Sequence, residues 1–353
     1  MIPLSVPNIS GNELKYVTKC LETGWISSSG EFVNKFEDSI KNFTGTKHAI
    51  ACMNGTVALQ ISLLLSGVKQ RDIVIAPNLT FVATLNAISY TGAQSLLFDV
   101  NESTWQIDVD LLLNWLINHS TTKIEGGKII TRHKNNRKKI SAIVPVHVLG
   151  SLCEMKKLIK ISNEYGITIV EDSTEALGSF YKKKHAGTFG KFGTFSFNGN
   201  KIISTGGGGM IVTDDEILAK RARHITTTAK TDPLKYFHDE IGYNYRLVNV
   251  LAAIGFAQME NFSSILKRKK EITRIYKSEL KNVGDIVFQE NIDASDPNCW
   301  LFTFRTKKMQ QLMKYLEKNE IQSRPFWTPM NKLPMYKNFE YIEKTDLSNK
   351  LFK

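Results

Sequence analysis

The run HAIACMNGTVALQISLLLS, His48 to Ser66, sets an apolar stretch ahead of a small polar turn, Asn54-Gly55-Thr56, and a helical pattern from Val57. A strand at His48–Cys52 followed at once by a helix over Val57–Ser66 is the opening of a strand–helix–strand unit. The alternation repeats downstream. Strands are expected at Ile73–Ala76, Ser95–Val100, Ala142–Val146 and Ile167–Val170, and helices at Val82–Tyr90, Val109–Asn118 and Glu154–Tyr165. Apolar strands in such an order imply an α/β fold, a mostly parallel sheet covered by helices. Phe192–Phe197 and Gly209–Val212 read as two more strands of that sheet.

Two regions break the pattern. His119–Lys139 is polar and basic and contains Gly126-Gly127, so a surface excursion is expected, a hairpin turning at the glycines. Near residue 245 the pattern changes. A helix from about Val248 and a long charged helix over Phe262–Lys281 lead to strand-like Ile286–Gln289 and Cys299–Arg305, then a helix over Lys308–Lys318. A chain of 353 residues exceeds what one core usually serves. We therefore expect a large domain over 1–245 and a smaller C-terminal α/β domain over 246–353.

Composition narrows the class. Hydrophobic residues at 42% and charged residues at 23% describe an ordinary globular chain. No stretch approaches the about 20 apolar residues a membrane-spanning helix needs. The first residues lack the regions of a signal peptide, so a cytoplasmic protein is expected. The four cysteines, Cys20, Cys52, Cys153 and Cys299, form no CxxC pair, and the histidines show no metal-binding spacing. No metal is expected. The net charge of +12 permits an acidic partner. Without aromatic interleaving or a nucleic-acid motif, the basic runs Lys182-Lys183-Lys184 and Lys267-Arg268-Lys269-Lys270 read as solvated surface.

In open α/β sheets ligands gather at the carboxyl ends of strands, and three groups of residues fall there. Asn54-Gly55-Thr56 opens a helix, where a glycine lets backbone approach an anion and free N–H groups attract it; a plain N-cap explains the same residues. Glu171-Asp172 closes an apolar strand, where a carboxylate must be paired or hold a protonated nitrogen. Phe195-Ser196-Phe197-Asn198-Gly199-Asn200-Lys201 then places a serine and a lysine in one loop, ahead of the glycine run Gly206–Gly209. An activated lysine can join a carbonyl as a Schiff base, and the serine could hold a phosphate of the same cofactor. An isolated lysine of this kind would be a surface lysine before a flexible turn.

The order of phosphate cup, carboxylate and serine-plus-lysine resembles the DegT/StrS family of sugar aminotransferases, within the fold-type-I, aspartate-aminotransferase-like pyridoxal-phosphate enzymes. The resemblance is carried by Gly24–Gly30, Asn54–Leu59, Pro77–Thr84, Glu171–Gly178, Ser196–Lys201 and Gly242-Tyr243-Asn244-Tyr245-Arg246-Leu247, almost end to end. It looks most like the legionaminic-acid-pathway aminotransferases, through the 119–139 excursion, Thr226–Pro233 and His238-Asp239-Glu240; perosamine synthases are near relatives.

The resemblance implies pyridoxal phosphate as cofactor, held as a Schiff base on Lys201, with Asp172 keeping the ring nitrogen protonated. Gly55, Thr56 and Ser196 would hold the phosphate. Phe81 would stack on the ring, although on its own it reads as a core aromatic. Asn244, on an arm leaving the large domain, would reach the phosphate of a neighbouring subunit, which implies a homodimer with composite active sites. Arg246 and Arg324 are candidates for the glutamate carboxylate and the sugar-nucleotide phosphates, with salt bridges as the alternative for each. Glu175 stands where many relatives carry His or Gln, and would read the substrate or pair with a surface lysine. Asn331 stands where many carry His. The family usually continues past this C-terminus, so the small domain is expected to lack its last strand and helix. The implied reaction moves the amino group of L-glutamate onto a nucleotide-linked 4-keto-6-deoxy-sugar, with a 2-acetamido group expected. Two other readings stand beside it: a sugar dehydratase of the same fold, which would have His in place of Lys201, and a basic regulatory or nucleic-acid-binding protein without the chemistry.

Overall fold

Seven of the expected strands form and lie in one sheet. They are β1 (His48–Cys52), β2 (Ile73–Pro77), β3 (Gln94–Phe98), β6 (Ile140–Ile143), β7 (Thr168–Asp172), β8 (Phe192–Ser196) and β9 (Gly209–Thr213). The computed structural model describes residues 1–232 and 234–352. Pro233, which ends the Thr226–Pro233 segment, and Lys353 lie outside the described residues. The strand order is β1-β9-β8-β7-β6-β2-β3, with β10 (Tyr341–Ile342) added beside β3. Only β9 runs against its neighbours. All five residues of β2 are buried, as a strand covered on both faces requires.

Helices cover the sheet in two layers. One core holds Phe36, Ile50, Leu59, Phe195, Phe197 and Met210, under α2 (Glu31–Thr44) and α3 (Gly55–Leu65). The other holds Ile75, Phe98, Leu112, Trp115, Leu158 and Ile161, under α5 (Val109–His119) and α6 (Met155–Tyr165). Helix α8 (Asn249–Glu260), on the C-terminal side of the expected 245/246 boundary, packs on α1 (Glu13–Thr23) and α2. The last helix, α11 (Leu347–Phe352), also returns to the large sheet. The N–H groups of Leu347 and Ser348 donate to Asp99 just beyond β3, at 2.9 and 2.8 Å.

The 119–139 excursion is a hairpin of β4 (Ser120–Glu125) and β5 (Lys128–His133) that turns at Gly126-Gly127. Its inner side is not solvated: Thr131 and His133 are buried, and the Thr131 hydroxyl donates to the Tyr165 carbonyl at 2.5 Å. The expected strand Cys299–Arg305 pairs only at Phe304–Arg305, against Val287–Phe288. Cys299 has φ 56°, outside the extended region, so the strand cannot begin there.

Candidate active site

The carboxyl ends of β1, β2, β7 and β8 meet on one edge of the sheet and enclose a cavity of about 290 Å³. Gly55, Thr56, Phe81, Asp172, Glu175, Ser196 and Lys201 all line it. Seven residues from four separate loops thus converge. A larger hollow between α2 and α7 (Glu216–Thr226), about 440 Å³, contains none of them. Its acids are already paired, Glu37 with Arg223, Asp38 with Lys41 and Glu216 with Lys220.

At the start of α3 the Asn54 side chain accepts from the Val57 N–H at 3.0 Å, so the N-cap reading of Asn54 holds. The Gly55 and Thr56 N–H groups lie in the first turn, where no intrahelical acceptor exists. A Cβ on Gly55 would stand 2.9 Å from both Ser196 Cβ and Thr174 Cγ2. Only glycine lets the helix start come this close to the serine. The glycine run downstream serves the same cup, since a Cβ on Gly209 would strike the Asn54 carbonyl. The result is a cradle of one hydroxyl and the positive end of a helix dipole, suited to a phosphate dianion.

The two carboxylates closing β7 point opposite ways, as alternate residues of a strand must. Glu171 is fully buried behind the sheet. It accepts from the N–H groups of Gly187, Phe189 and Gly190 at 2.6–2.8 Å and lies 2.9 Å from His147 Nε2. It braces a loop. Asp172 faces the cavity, fixed by the Thr84 hydroxyl at 2.8 Å and by the Thr174 hydroxyl and N–H at 2.7 and 3.2 Å. Three donors fix the carboxylate's orientation and leave accepting capacity toward the cavity. Neither threonine stood out in the sequence, although both lie inside the motifs quoted above.

Lys201 Nζ lies 3.6 Å from Glu175 Oε1 and 4.3 Å from the centre of the Trp300 ring. Glu175 therefore pairs with the cavity lysine rather than with a surface one. Its other oxygen accepts from the Leu149 N–H at 2.8 Å. Burial pushes the Glu175 carboxyl up from 4.5 to about 7, with Lys201 and the Leu149 N–H pulling back. A carboxyl raised in this way stabilises the fold below its unfolded value near 4.5, and that contribution is lost as pH rises through about 7. The cofactor-free protein should lose roughly 3 kcal/mol across that window from this group. Glu175→Gln does not titrate. Urea unfolding at pH 5 and pH 8 should then show the wild type losing ground to the variant as pH rises, and parallel behaviour would rule out the raised carboxyl.

Phe81 is half exposed at the cavity mouth, edge-on to Trp327 at 6.1 Å, and so is no core aromatic. Arg324 is exposed and lines an adjoining groove that shares Asn200, Trp300 and Trp327 with the cavity. Arg246 takes the salt-bridge alternative. Its guanidinium is buried against Glu37 at 2.5 Å and does not line the cavity, and Glu37 also takes the Ala51 N–H at 2.7 Å. The side chain ties the Gly242–Leu247 segment to β1 and α2. That segment is no free arm. Backbone bonds tie Tyr243 to Ile225, Tyr245 to Thr226 and Met53 to Tyr245. Asn244 stands exposed on it, away from this chain's own cavity.

Among the described residues, one group could offer three ligands to a metal: His224, Asp239 and Glu240. Arg221 already supplies the cation for Glu240, so the group is an exposed ion-pair cluster. No helix of the described residues is long and apolar enough to cross a membrane.

The DegT/DnrJ/EryC1/StrS aminotransferase family model matches residues 7–352. The GDP-perosamine synthase of Escherichia coli O157:H7 is 37% identical over 340 residues, covering 95% of this chain and 87% of the relative. The GDP-perosamine synthase of Vibrio cholerae is 35% identical over 354 residues, covering 99% and 91%. A crystal structure of a DegT DnrJ EryC1 StrS aminotransferase from Brucella abortus superposes with a TM-score of 0.87 at 25% identity, covering 96% of this chain and 87% of that one. These perosamine relatives correct the expected leaning toward legionaminic-acid enzymes. The 119–139 hairpin packs on α5 and α6 and lines no part of this chain's cavity. A match that spans the chain, and takes in each loop that builds the cavity, makes this protein a member of the DegT/DnrJ/EryC1/StrS aminotransferase family.

Proposed function

We propose that this protein transfers the amino group of L-glutamate to the 4-keto carbon of a nucleotide-linked 4-keto-6-deoxy-sugar, with GDP-4-keto-6-deoxymannose as the acceptor. The observation that carries the reading is the meeting of Lys201, Asp172, Ser196 and the α3 N-terminus in one cavity.

Pyridoxal phosphate is the cofactor. The residues present fit it: a dianion cradle at Gly55, Thr56 and Ser196, an oriented carboxylate at Asp172, an open aromatic face at Phe81 and an amine at Lys201. When bound, the cofactor supplies an aldehyde for an amine and a protonated ring that draws electron density from the substrate carbon. Lys201 would provide that amine and would carry the proton to and from the substrate carbon. Asp172 would hold the proton on the ring nitrogen. Glu175, titrating near neutrality beside Lys201, can take or return a proton at Nζ. Lys201 itself speaks against the dehydratase reading, which puts histidine there. The set as a whole speaks against a binding protein without chemistry.

The choice of acceptor rests on the two relatives named GDP-perosamine synthase. The groove at Arg324 offers a guanidinium fork to a diphosphate. Asn244, exposed and outside the lining of its own cavity, supports a homodimer in which it serves the partner's site.

The test is a direct comparison with glutamate as donor: GDP-4-keto-6-deoxymannose against UDP- and GDP-4-keto-6-deoxy-N-acetylglucosamine. A site built to hydrogen-bond a 2-hydroxyl leaves that partner unpaired when an acetamido group replaces it, at about 1–3 kcal/mol. The mannose compound is therefore expected to win by roughly ten- to a hundredfold in kcat/KM. Faster turnover of either acetamido sugar would overturn this choice of acceptor.

A further inference from the structure

The Asn298-Cys299-Trp300 segment comes from the C-terminal part of the chain, yet it stitches two loops of the active site together. Asn298 is fully buried and every polar atom of its side chain is used. Its amide donates to the Glu175 and Leu177 carbonyls at 2.8 and 2.9 Å, and its oxygen accepts from the Trp300 N–H at 3.0 Å. The Asn298 N–H donates to the Ser179 hydroxyl at 2.9 Å. The loop that carries Glu175 is thereby fixed from behind.

Trp300 then fixes the other loop. Its ring is 3% exposed, and its indole N–H donates to the Asn200 carbonyl at 2.7 Å, one residue before Lys201. The Trp300 carbonyl accepts from Lys269 Nζ at 3.2 Å, which anchors the segment on α9 (Phe262–Glu279). Ordinary core packing accounts for the buried ring. It does not account for an indole donor spent on the lysine's own loop, or for an ammonium placed over the ring face at 4.3 Å.

We propose that Trp300 is a positioning residue for Lys201: the indole N–H pins the loop at Asn200 and the ring face holds the Lys201 amine beside Glu175, aimed into the cavity. The inference rests on the reading that Lys201 captures pyridoxal phosphate. Capture joins the lysine nitrogen to the aldehyde carbon with loss of one water, so its rate reports how the amine is presented before any substrate is involved.

The experiment uses full-length, cofactor-free protein at a temperature below every variant's unfolding transition. Capture of added pyridoxal phosphate is followed by absorbance, and the fixed orientation of the captured cofactor by visible circular dichroism. Trp300→Leu removes both the ring and the donor, and should slow capture about tenfold or more and weaken the dichroism. Trp300→Phe keeps a ring but loses the donor, and should fall between, roughly two- to fivefold slower. A residue with only a packing role would lower the unfolding temperature and leave capture by the folded protein unchanged. If Trp300→Leu does not fold, Trp300→Phe decides. Wild-type capture rate and dichroism in Trp300→Phe would overturn the proposal. Borohydride reduction and peptide mapping of the wild type separate the two failures: a label away from Lys201 sinks the underlying reading, whereas a label on Lys201 with unaffected variants sinks only the role of Trp300.

Discussion

Lys201→Ala is expected to abolish transamination, with turnover falling on the order of 10⁴-fold or more, while the protein stays folded. The size follows from removing two functions at once, the nucleophile and the group that moves the proton; positioned proton transfer alone contributes about 10²–10⁴-fold. The fold should survive because the Lys201 side chain lines a cavity and fills no part of the hydrophobic core. Its Nζ meets Glu175 and the Trp300 face, and the loop is held by backbone bonds, Lys201 N–H to the Asn198 carbonyl at 2.9 Å and Thr205 N–H to the Phe197 carbonyl at 2.9 Å. Loss of the ammonium also leaves Glu175 without its cation, so that carboxyl should titrate higher still. Turnover measured with any accepted keto-sugar, alongside a thermal melt, checks both halves. Activity within tenfold of wild type would remove Lys201 from the chemistry.

Asp172→Asn should be nearly as damaging to activity and almost silent in stability. The Thr174 N–H can only donate, so the amide oxygen must face it, and the amide NH₂ then turns toward Thr84 and the cavity. Thr84 can meet it by rotating, since its hydroxyl already shares a 2.9 Å contact with Thr80. The shape fits, and a melt within a few degrees of wild type is expected. What is lost is an acceptor for a protonated ring nitrogen, because an NH₂ group presents only donors. Turnover should drop about 10²–10³-fold while pyridoxal phosphate still binds. Turnover within threefold of wild type would show that Asp172 does not hold that proton.

The sheet was legible in the sequence because its strands are short apolar runs separated by helical patterns, a local signal that needs no partner to be read. The catalytic loops were legible for a related reason. Each lies directly after a strand, so Asn54–Thr56, Asp172 and Ser196–Lys201 could be placed at one edge before any contact was known. What stayed hidden depends on pairs far apart in the chain. Arg246 looked free to bind an anion until Glu37, 209 residues away, was seen to consume it. Trp300 meets the Lys201 loop across 100 residues of chain, with only a single tryptophan as its sequence signal. Glu171 and Asp172 could not be told apart by residue type. The alternation of side chains along β7, set by its register with β6 and β8, decides which of the two faces the cavity. The leaning toward legionaminic-type enzymes rested on three segments, the 119–139 hairpin, Thr226–Pro233 and His238-Asp239-Glu240, and none of their described residues lines the cavity.

Lys201 is expected to carry the cofactor in a cavity built from the strand ends of this sheet. Reduction of the pyridoxal-phosphate-loaded protein with borohydride fixes the cofactor to whichever amine holds it, and peptide mapping by mass spectrometry then names the residue. The expected result is one modified peptide, spanning Ser196 to Lys201, with the added mass on Lys201. A label on any other lysine, or none after a verified loading step, would contradict the account.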